Sequence, residues 1–332
     1  MTNSRWLLTW VLAAAITTGG WLAFEAYWRG QGYQPTVMDS MDLWSLNRAR
    51  AAKTSPPLRV ALLGASRIQY GLSPSVFRDE ARAMSVRADP IMLAVNGHYP
   101  LATLRDLAMD EKFNGVAIVG IDSRGMDKRV WEMQEKHVQQ YHHDWSPSRE
   151  AHRRLLTYVQ RHAIAARPDF AAATLTKRFF DNQGPPYKEY VTFERDRSGG
   201  TDYRRSDLPA IRNARVADLK GYYLLNTPPT PEMWLAEMRE VVRWVETINA
   251  RGGKVVIYRE PVSGEHIALD EANFPRALYW NKLVAIMPAL MIDFRDYPEL
   301  IIDTPDTSHI DIKDIDRHTR ALVRVLKLKG SL

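Results

Sequence analysis

The chain reads LRVALLGASR from residue 58 to residue 67, and this stretch is the most informative about the fold. Residues 58–63 form an apolar run with little alternation, which is typical of a strand buried on both faces of a parallel sheet. A Gly-Ala pair then allows a tight turn, and a helix is expected a few residues later, at Pro74. The stretch therefore predicts a strand whose carboxyl end presents Ser66.

Four more short apolar runs of the same kind follow along the chain, at residues 91–95, 116–121, 254–258 and 289–294. Helical patterns accompany them at residues 74–84, 101–112, 231–250, 276–287 and 312–328. Right-handed crossovers between parallel strands would place these helices on both sides of one sheet. The order of elements predicts an α/β fold, specifically a three-layer α/β/α sandwich with a mainly parallel sheet.

The composition is that of a globular protein of 332 residues, with 45% hydrophobic and 25% charged residues. The net charge is +6, and residues 125–220 hold 18 Lys or Arg against 13 Asp or Glu. Such a bias attracts anionic polymers or phospholipid surfaces without selecting among them. We expect no nucleic-acid partner, since no recognised binding motif accompanies the charge. The absence of cysteine excludes disulfides and thiolate catalysis.

The N-terminal segment is apolar enough to cross a membrane. Residues 6–24 contain no charge, and tryptophans stand near both ends of the run, where two membrane interfaces would lie. Arg5 and the terminal amine precede it, which favours a cytoplasmic N-terminus and an extracytoplasmic remainder, periplasmic or extracellular. A cleaved signal peptide is the alternative. An anchor is favoured because apolar residues resume at Trp21.

The pattern divides the chain into three parts. Residues 1–28 are predicted to be a transmembrane anchor, and residues 29–57, which contain several Gly and Pro residues, a partly extended stalk or linker. Residues 58–332 would form the main domain, interrupted at about 125–229 by a cap or substrate-facing insertion with a helix at 149–166. A second independent domain is not required for this length.

Two separated motifs carry residues suited to acyl transfer. Ser66 follows the first strand, where its hydroxyl projects from the sheet edge and nearby N–H groups can face an oxyanion. Asp306 and His309 stand in a loop before the last helix, and their spacing lets both side chains reach one site. Taken separately, each motif has an ordinary structural explanation in turn formation or helix capping. Together they predict a Ser-His-Asp triad.

The combination resembles the SGNH or GDSL hydrolase family, in which a serine after the first strand meets a late Asp-x-x-His. The resemblance spans nearly the whole domain and implies an SGNH fold of flavodoxin-like type. It implies Ser66 as nucleophile, His309 as base and Asp306 as its orienting partner. It also implies oxyanion donors at the backbone of Ser66 and Gly97, with support from Asn96. Arg67, beside the nucleophile, is predicted to contact substrate.

The third block departs from the family pattern. Gly120-Ile121-Asp122 stands where Gly-x-Asn would supply an amide donor, and a carboxylate would repel an oxyanion. Either Asp122 points elsewhere and binds the first turn or Arg124, or the site has a binding role in place of esterase chemistry. The strand and loop at 254–261 look like those of membrane-associated relatives that handle polysaccharide acyl groups.

These residues predict a serine-dependent O-acyl esterase or acyltransferase, with acetyl the expected group, acting on a cell-envelope or exported polysaccharide. Expected partners are an acylated glycan, the membrane and, for a transferase, a multi-pass membrane acyltransferase that supplies acyl groups. A non-catalytic glycan-binding or assembly subunit is the alternative. No cofactor is implied, and no metal site is predicted because the histidines between residues 137 and 152 lack a regular ligand frame.

Overall fold

A computed structural model of the chain describes residues 3–53, 56–186 and 190–332, with side chains from residue 5 onward. The strands are β1 (Leu58–Leu63), β2 (Ala88–Met92), β3 (Val116–Gly120), β4 (Val191–Phe193), β5 (Gly199–Thr201), β6 (Lys254–Arg259) and β7 (Leu290–Asp293). The helices are α1 (Asn3–Gly30), α2 (Met41–Ala51), α3 (Ser66–Gln69), α4 (Pro74–Ala83), α5 (Leu101–Met109), α6 (Glu135–Gln139), α7 (Pro147–His162), α8 (Ala172–Phe180), α9 (Leu208–Leu225), α10 (Pro231–Ala250), α11 (Glu265–Asn273), α12 (Trp280–Val284) and α13 (Ile315–Leu328).

Five strands form one parallel sheet in the order β2-β1-β3-β6-β7, which confirms the predicted mixed α/β fold with a parallel sheet. β4 and β5 pair antiparallel in a separate hairpin. The strand order reverses at β1, because β2 lies on one side of β1 and β3 lies on the other. Ligand sites of such sheets lie outside the carboxyl ends of the strands at this point, which is where Ser66 follows β1.

The sheet is buried on both faces. Alternate residues of each strand point to opposite sides, so Leu63 and Val119 belong to one hydrophobic cluster and Leu62 and Ile118 to another. The first cluster includes residues of α5 and α10, and the second includes residues of α4 and α13. This two-sided burial explains why the strands read as continuous apolar runs in the sequence.

β2 begins at Ala88, earlier than the predicted start at residue 91. Asp89 and Pro90 interrupt the apolar pattern there, but β2 is an edge strand, where the missing N–H of proline is tolerated. Asp89 is paired with Arg59 and Arg50. Backbone pairing with β1 continues beyond the strand, since the amide of residue 95 donates to the carbonyl of residue 64 at 3.0 Å.

The predicted helix at 276–287 is wrong in its bounds. α12 covers Trp280–Val284 alone, and α11 at Glu265–Asn273 was not predicted. Pro275 explains the break, because proline disfavours helical backbone in the residue before it and cannot donate an N–H to a helix. The last helix also begins later than predicted, after a 3-10 turn at Ile312–Asp314.

Residues 29–57 are not an extended stalk throughout. α2 begins after Ser40, whose hydroxyl accepts a hydrogen bond from the Leu43 amide at 3.2 Å. Trp44 is fully buried in the first hydrophobic cluster, and its indole N–H donates to the Leu93 carbonyl at 2.9 Å. Several buried residues of α2 are polar, so the sequence does not show an apolar helical face there. α2 is therefore part of the folded body that contains the sheet.

We expect Trp44→Ala to lower the free energy of unfolding by about 3–5 kcal/mol, the usual range for deleting a buried aromatic side chain. Urea unfolding of the detergent-solubilised full chain measures the change. Met41→Ala, at a position 42% exposed on the same helix, is the control and should change it by less than about 0.5 kcal/mol. Equal effects of the two substitutions would mean that α2 is not packed as described.

The N-terminal region forms a second compact unit that comprises the described residues 3–38 and 151–186. Among the described residues, the segment at 5–30 is the one helix long and apolar enough to cross a membrane. Its C-terminal end packs within the unit, where Trp28 joins a small cluster that includes Ile164 and Phe170. The predicted insertion at 125–229 is thus divided, because part of it packs with α1 and the remainder belongs to the unit that contains the sheet.

Candidate active site

The turn after β1 places Ser66 at the start of α3. A Cβ on Gly64 would stand 2.4 Å from Cγ1 of Ile68, so only glycine permits the helix to turn this close to the strand end. Ser66 is the first residue of α3, and its N–H has no acceptor within the helix. The turn therefore leaves both the hydroxyl and the amide of Ser66 available to a ligand.

Ser66, His309 and Asp306 form a continuous hydrogen-bonded row. Nε2 of His309 lies 2.8 Å from Oγ of Ser66, and Nδ1 lies 2.8 Å from Oδ2 of Asp306. Asp306 and His309 are buried, whereas Ser66 is partly exposed. The structure thus brings together three side chains that the sequence places up to 243 positions apart. This is the geometry that a nucleophile, a base and an orienting carboxylate require.

The loop before α13 holds the carboxylate in a constrained turn. Oδ1 of Asp306 accepts hydrogen bonds from the backbone N–H groups of Ser308 and His309, at 2.8 and 2.7 Å. Thr307 between them has a φ of 75°, which is unusual for a β-branched residue. Its carbonyl accepts from the Ser263 amide at 3.0 Å, so the segment after β6 secures the turn. Such strained positions occur at functional sites when neighbouring contacts maintain them.

The electrostatic surroundings favour a carboxylate beside a neutral imidazole. Burial alone would raise the pKa of Asp306, but hydrogen bonds from His309 and from two backbone amides hold it well below its ordinary value. Burial lowers the pKa of His309, Asp306 opposes this, and the charges of Arg215 and Arg67 lower it further. His309 is therefore neutral near pH 7 and can accept a proton from Ser66.

Of the residues predicted to bind an oxyanion, Ser66 and Gly97 line the pocket and Asn96 does not. Gly97 lines the same pocket as Ser66, has a φ of 73°, and its N–H has no hydrogen-bond acceptor among the described residues. Asn96 is exposed and is not part of the pocket wall, and its N–H donates to Oε1 of Gln69 at 2.8 Å. The available donors are thus the backbone groups of Ser66 and Gly97.

Asp122 does not present a free carboxylate to the pocket. Its Oδ1 accepts from the Gly125 amide at 2.7 Å, and its Oδ2 accepts from Nη2 of Arg67 at 3.1 Å and of Arg124 at 3.3 Å. Burial would raise the pKa of Asp122, but these two guanidinium groups keep it well below its usual range. The contact with Arg124 corresponds to the first of the two alternatives drawn from the sequence.

The pocket beside Ser66 has a volume of about 270 Å³. α9, from the predicted insertion, supplies Arg215, Leu219 and Tyr222 to its wall, and the sequence did not identify these residues as part of a site. Arg215 also contacts Oδ2 of Asp306 at 3.4 Å. Spacings of three and four residues place them on one face of a helix, which is a detectable signal, although the pattern does not reveal what that face contacts.

Two buried ionisable groups complete the wall of the pocket. Burial raises the pKa of Glu260 to about 7, while Arg67 opposes the shift. Burial, Arg67 and Arg124 lower the pKa of His266 to about 2, so this imidazole is neutral. The Ser66 hydroxyl bonds to His309 and to neither of these groups, and Nε2 of His266 lies 3.4 Å from Nη2 of Arg67. Both groups lie next to Arg67, the residue that follows Ser66.

The arrangement can activate a serine hydroxyl, accept its proton and offer backbone donors to an oxyanion. Within the described parts of the chain, no group of three or more His, Asp or Glu side chains is placed to hold a metal ion. Comparison of the chain with protein-family models and with curated proteins found no match.

Proposed function

We propose that the chain is a serine-dependent O-acyl esterase or acyltransferase of the SGNH type, with a three-layer α/β/α sandwich as its catalytic domain. The observation that carries the proposal is the hydrogen-bonded row of Ser66, His309 and Asp306 in a pocket at the carboxyl ends of the parallel strands. An isolated serine or histidine has many structural roles. A buried Asp-His pair directed at a serine beside free backbone donors is suited to acyl transfer.

In the proposed reaction, Oγ of Ser66 attacks the ester carbonyl carbon while Nε2 of His309 takes the hydroxyl proton. The N–H groups of Ser66 and Gly97 stabilise the oxyanion that forms. The tetrahedral intermediate then breaks its bond to the alcohol oxygen, which receives the proton from His309. Water or a sugar hydroxyl next attacks the acyl-enzyme and passes its proton to His309. The bond between the acyl carbon and Oγ of Ser66 then breaks, and Oγ takes that proton back from His309. The acceptor distinguishes a hydrolase from a transferase.

The membrane helix and the volume of the pocket limit the class of substrate that we propose. α1 would anchor the enzyme with its N-terminus in the cytoplasm, which directs the active site at extracytoplasmic acylated glycans. A volume of about 270 Å³ lies below the roughly 300–1,000 Å³ of drug-sized ligand sites and suits a short acyl group such as acetyl. A transferase of this kind would receive acyl groups from a multi-pass membrane partner.

The second candidate function is non-catalytic glycan binding or assembly. Asp122 favours it, because a carboxylate replaces the amide donor of the family pattern at the end of β3. The contacts of Asp122 remove much of this objection to catalysis, since two arginines bind its Oδ2 and the Gly125 amide binds its Oδ1. We therefore retain binding as the outcome expected if no acyl-enzyme forms.

Formation of an acyl-enzyme tests the proposal. The detergent-solubilised full chain is mixed with an activated acetyl ester and its intact mass is followed over time. We expect a transient addition of one acetyl group, whose decay accelerates when an acylatable sugar is present if the enzyme is a transferase. A folded protein that gains no acetyl group with short acyl esters, between pH 5 and pH 9, would contradict enzymatic function and favour the binding subunit.

Arg215→Gln should move the pH dependence of acylation to higher pH. The neutral imidazole is the base, so the rate rises as pH increases through the pKa of His309, which lies below its ordinary value of 6.5. Removing the Arg215 charge removes one cause of that lowering, so the rise occurs at a higher pH. Initial acylation rates across the acidic range measure it. Lys220→Gln, an exposed change on α9, should leave the rise in place, and a rise unmoved in Arg215→Gln would contradict the electrostatic role.

A further inference from the structure

Two guanidinium groups beside the nucleophile retain donors that the protein does not use. Arg67 donates through Nε to Oγ of Ser308 at 3.3 Å, and Arg124 donates through Nε to the Tyr99 hydroxyl at 2.8 Å. Both donate through Nη2 to Asp122. Neither Nη1 group has a hydrogen-bond acceptor among the described residues, although both side chains line the pocket that contains Ser66. The pocket therefore holds two charged donors without acceptors.

Neither of the nearby carboxyl groups, Asp122 and Glu260, accepts a hydrogen bond from these Nη1 groups. Asp122 is one carboxylate shared between two arginines. Glu260 stands 3.9 Å from Nη1 of Arg67, and its Oε2, the nearer oxygen, has no hydrogen-bond partner in the described part of the protein. Burial favours the neutral form of this carboxyl group. The other ionisable side chains of the wall are Arg215, the exposed Asp218, and the imidazoles of His309 and His266, whose pKa values are lowered by burial.

Arg215 also has a guanidinium N–H group without an acceptor in the described part of the protein. Its Nε is buried without a hydrogen-bond partner, while its Nη2 contacts Asp306 at 3.4 Å. Asp306 also accepts hydrogen bonds from His309 and from two backbone amides. The Nη1 groups of Arg67 and Arg124 belong to the pocket wall and have no protein acceptor among the described residues, so the pocket favours a ligand with acceptor oxygens.

We propose that Arg67 and Arg124 bind an anionic group of the substrate, a carboxylate or phosphate, next to the ester that Ser66 attacks. Guanidinium forks match the oxygens of such groups and select them over neutral ones. This specificity rests on the proposed function, because it concerns the substrate of the same site. The anion would belong either to the acyl group, as in a half-ester of a dicarboxylic acid, or to the alcohol part, as in an acidic sugar.

Binding without chemistry is the first test. The full-chain Ser66→Ala variant is titrated by calorimetry with succinate and with neutral succinamide. We expect succinate to bind at least about tenfold more tightly than succinamide. Arg124→Gln in the same background should remove at least about tenfold of the succinate affinity, as expected for a charge-assisted hydrogen bond. Asp122→Asn should increase it, because the competing carboxylate is lost.

Folding of the variants is controlled by their thermal unfolding and by a second substitution. Arg124→Lys keeps the charge and should retain part of the succinate affinity, whereas Glu237→Gln on α10, away from the pocket wall, should retain all of it. If Arg124→Gln does not fold, the opposite change in Asp122→Asn still tests the proposal. Equal binding of succinate and succinamide, or affinities unmoved by both pocket substitutions, would overturn it.

Ester pairs then identify the source of the anion in the wild-type chain. A 4-nitrophenyl hemisuccinate is compared with 4-nitrophenyl acetate, and O-acetylated glucuronic acid with O-acetylated glucose. A larger kcat/KM for the anionic member of either pair, reduced in Arg124→Gln, supports the subsite and assigns it to that side of the ester. No preference in either pair would show that a bound anion is not part of the substrate. Succinate binding with no acylation of any ester would contradict the enzymatic function and leave anion recognition intact.

Discussion

Ser66→Ala should abolish formation of the acyl-enzyme. The variant lacks the oxygen that attacks the ester carbonyl, and His309 then has no proton to accept from position 66. Loss of the nucleophile in serine hydrolases lowers kcat by about 10⁶-fold, and the remaining rate comes from binding and from the oxyanion donors. Intact mass after incubation with an activated acetyl ester should show the acetyl adduct in the wild-type chain and none in the variant.

Ser308→Ala is the matched control for this result. Ser308 belongs to the wall of the same pocket, but its hydroxyl accepts a hydrogen bond from Arg67 and does not contact His309. The acetyl adduct should therefore still form in Ser308→Ala and should map to Ser66 by peptide mass analysis. An adduct that persists in Ser66→Ala and disappears in Ser308→Ala would reassign the nucleophile.

Asp306→Asn should lower the acylation rate by about 10⁴-fold, as the equivalent change does in serine proteases. Oδ2 of Asp306 accepts the hydrogen bond from Nδ1 of His309 and so keeps Nε2 free to receive a proton. An amide nitrogen in that place would donate to Nδ1, and the imidazole would then carry its proton on Nε2, facing Ser66. The amide oxygen can still accept from the backbone of Ser308 and His309, so the turn should persist.

Stopped-flow measurement of the acylation rate gives the size of the effect, and the unfolding temperature reports on the turn. Asp303→Asn is the control, because Asp303 is an exposed carboxylate of the same loop. It should change the rate by less than about twofold. A rate for Asp306→Asn within about tenfold of the wild-type rate would exclude Asp306 as the partner that orients His309.

Much of the sheet could be predicted because its strands are buried on both faces. A strand such as β3 (Val116–Gly120) contains only apolar residues and glycine, and the run is visible without knowledge of its neighbours. The sequence pattern predicts a later start for β2 (Ala88–Met92) than the structure shows. The strand tolerates Pro90 because it lies at the edge of the sheet, and that position is known only from the tertiary structure. β7 (Leu290–Asp293) is also an edge strand, but its apolar run has no such interruption and was predicted closely.

The residues of the site also differ in how far the sequence predicts them. Ser66 and the Asp306 and His309 pair stand next to turns whose local sequence positions them, so two separated motifs were enough to predict that they meet. Arg215 was not predicted, because its role depends on α9 lying against the loop that carries Asp306. Helical periodicity identifies a face of α9 but does not identify what that face contacts.

The sequence by itself determined the parallel sheet, the apolar N-terminal helix and the three residues of the proposed triad, because apolar runs, turn residues and local spacing act over a few positions. Only the tertiary structure decided the direction of the Asp122 carboxylate and the division of the insertion between two units. Asp122 is held by Arg67 of α3 and by Arg124 of its own loop, and the described residues of 151–186 belong to the same compact unit as α1. Both outcomes depend on contacts between distant segments, whose free energies are set by packing and charge pairing after the chain has folded.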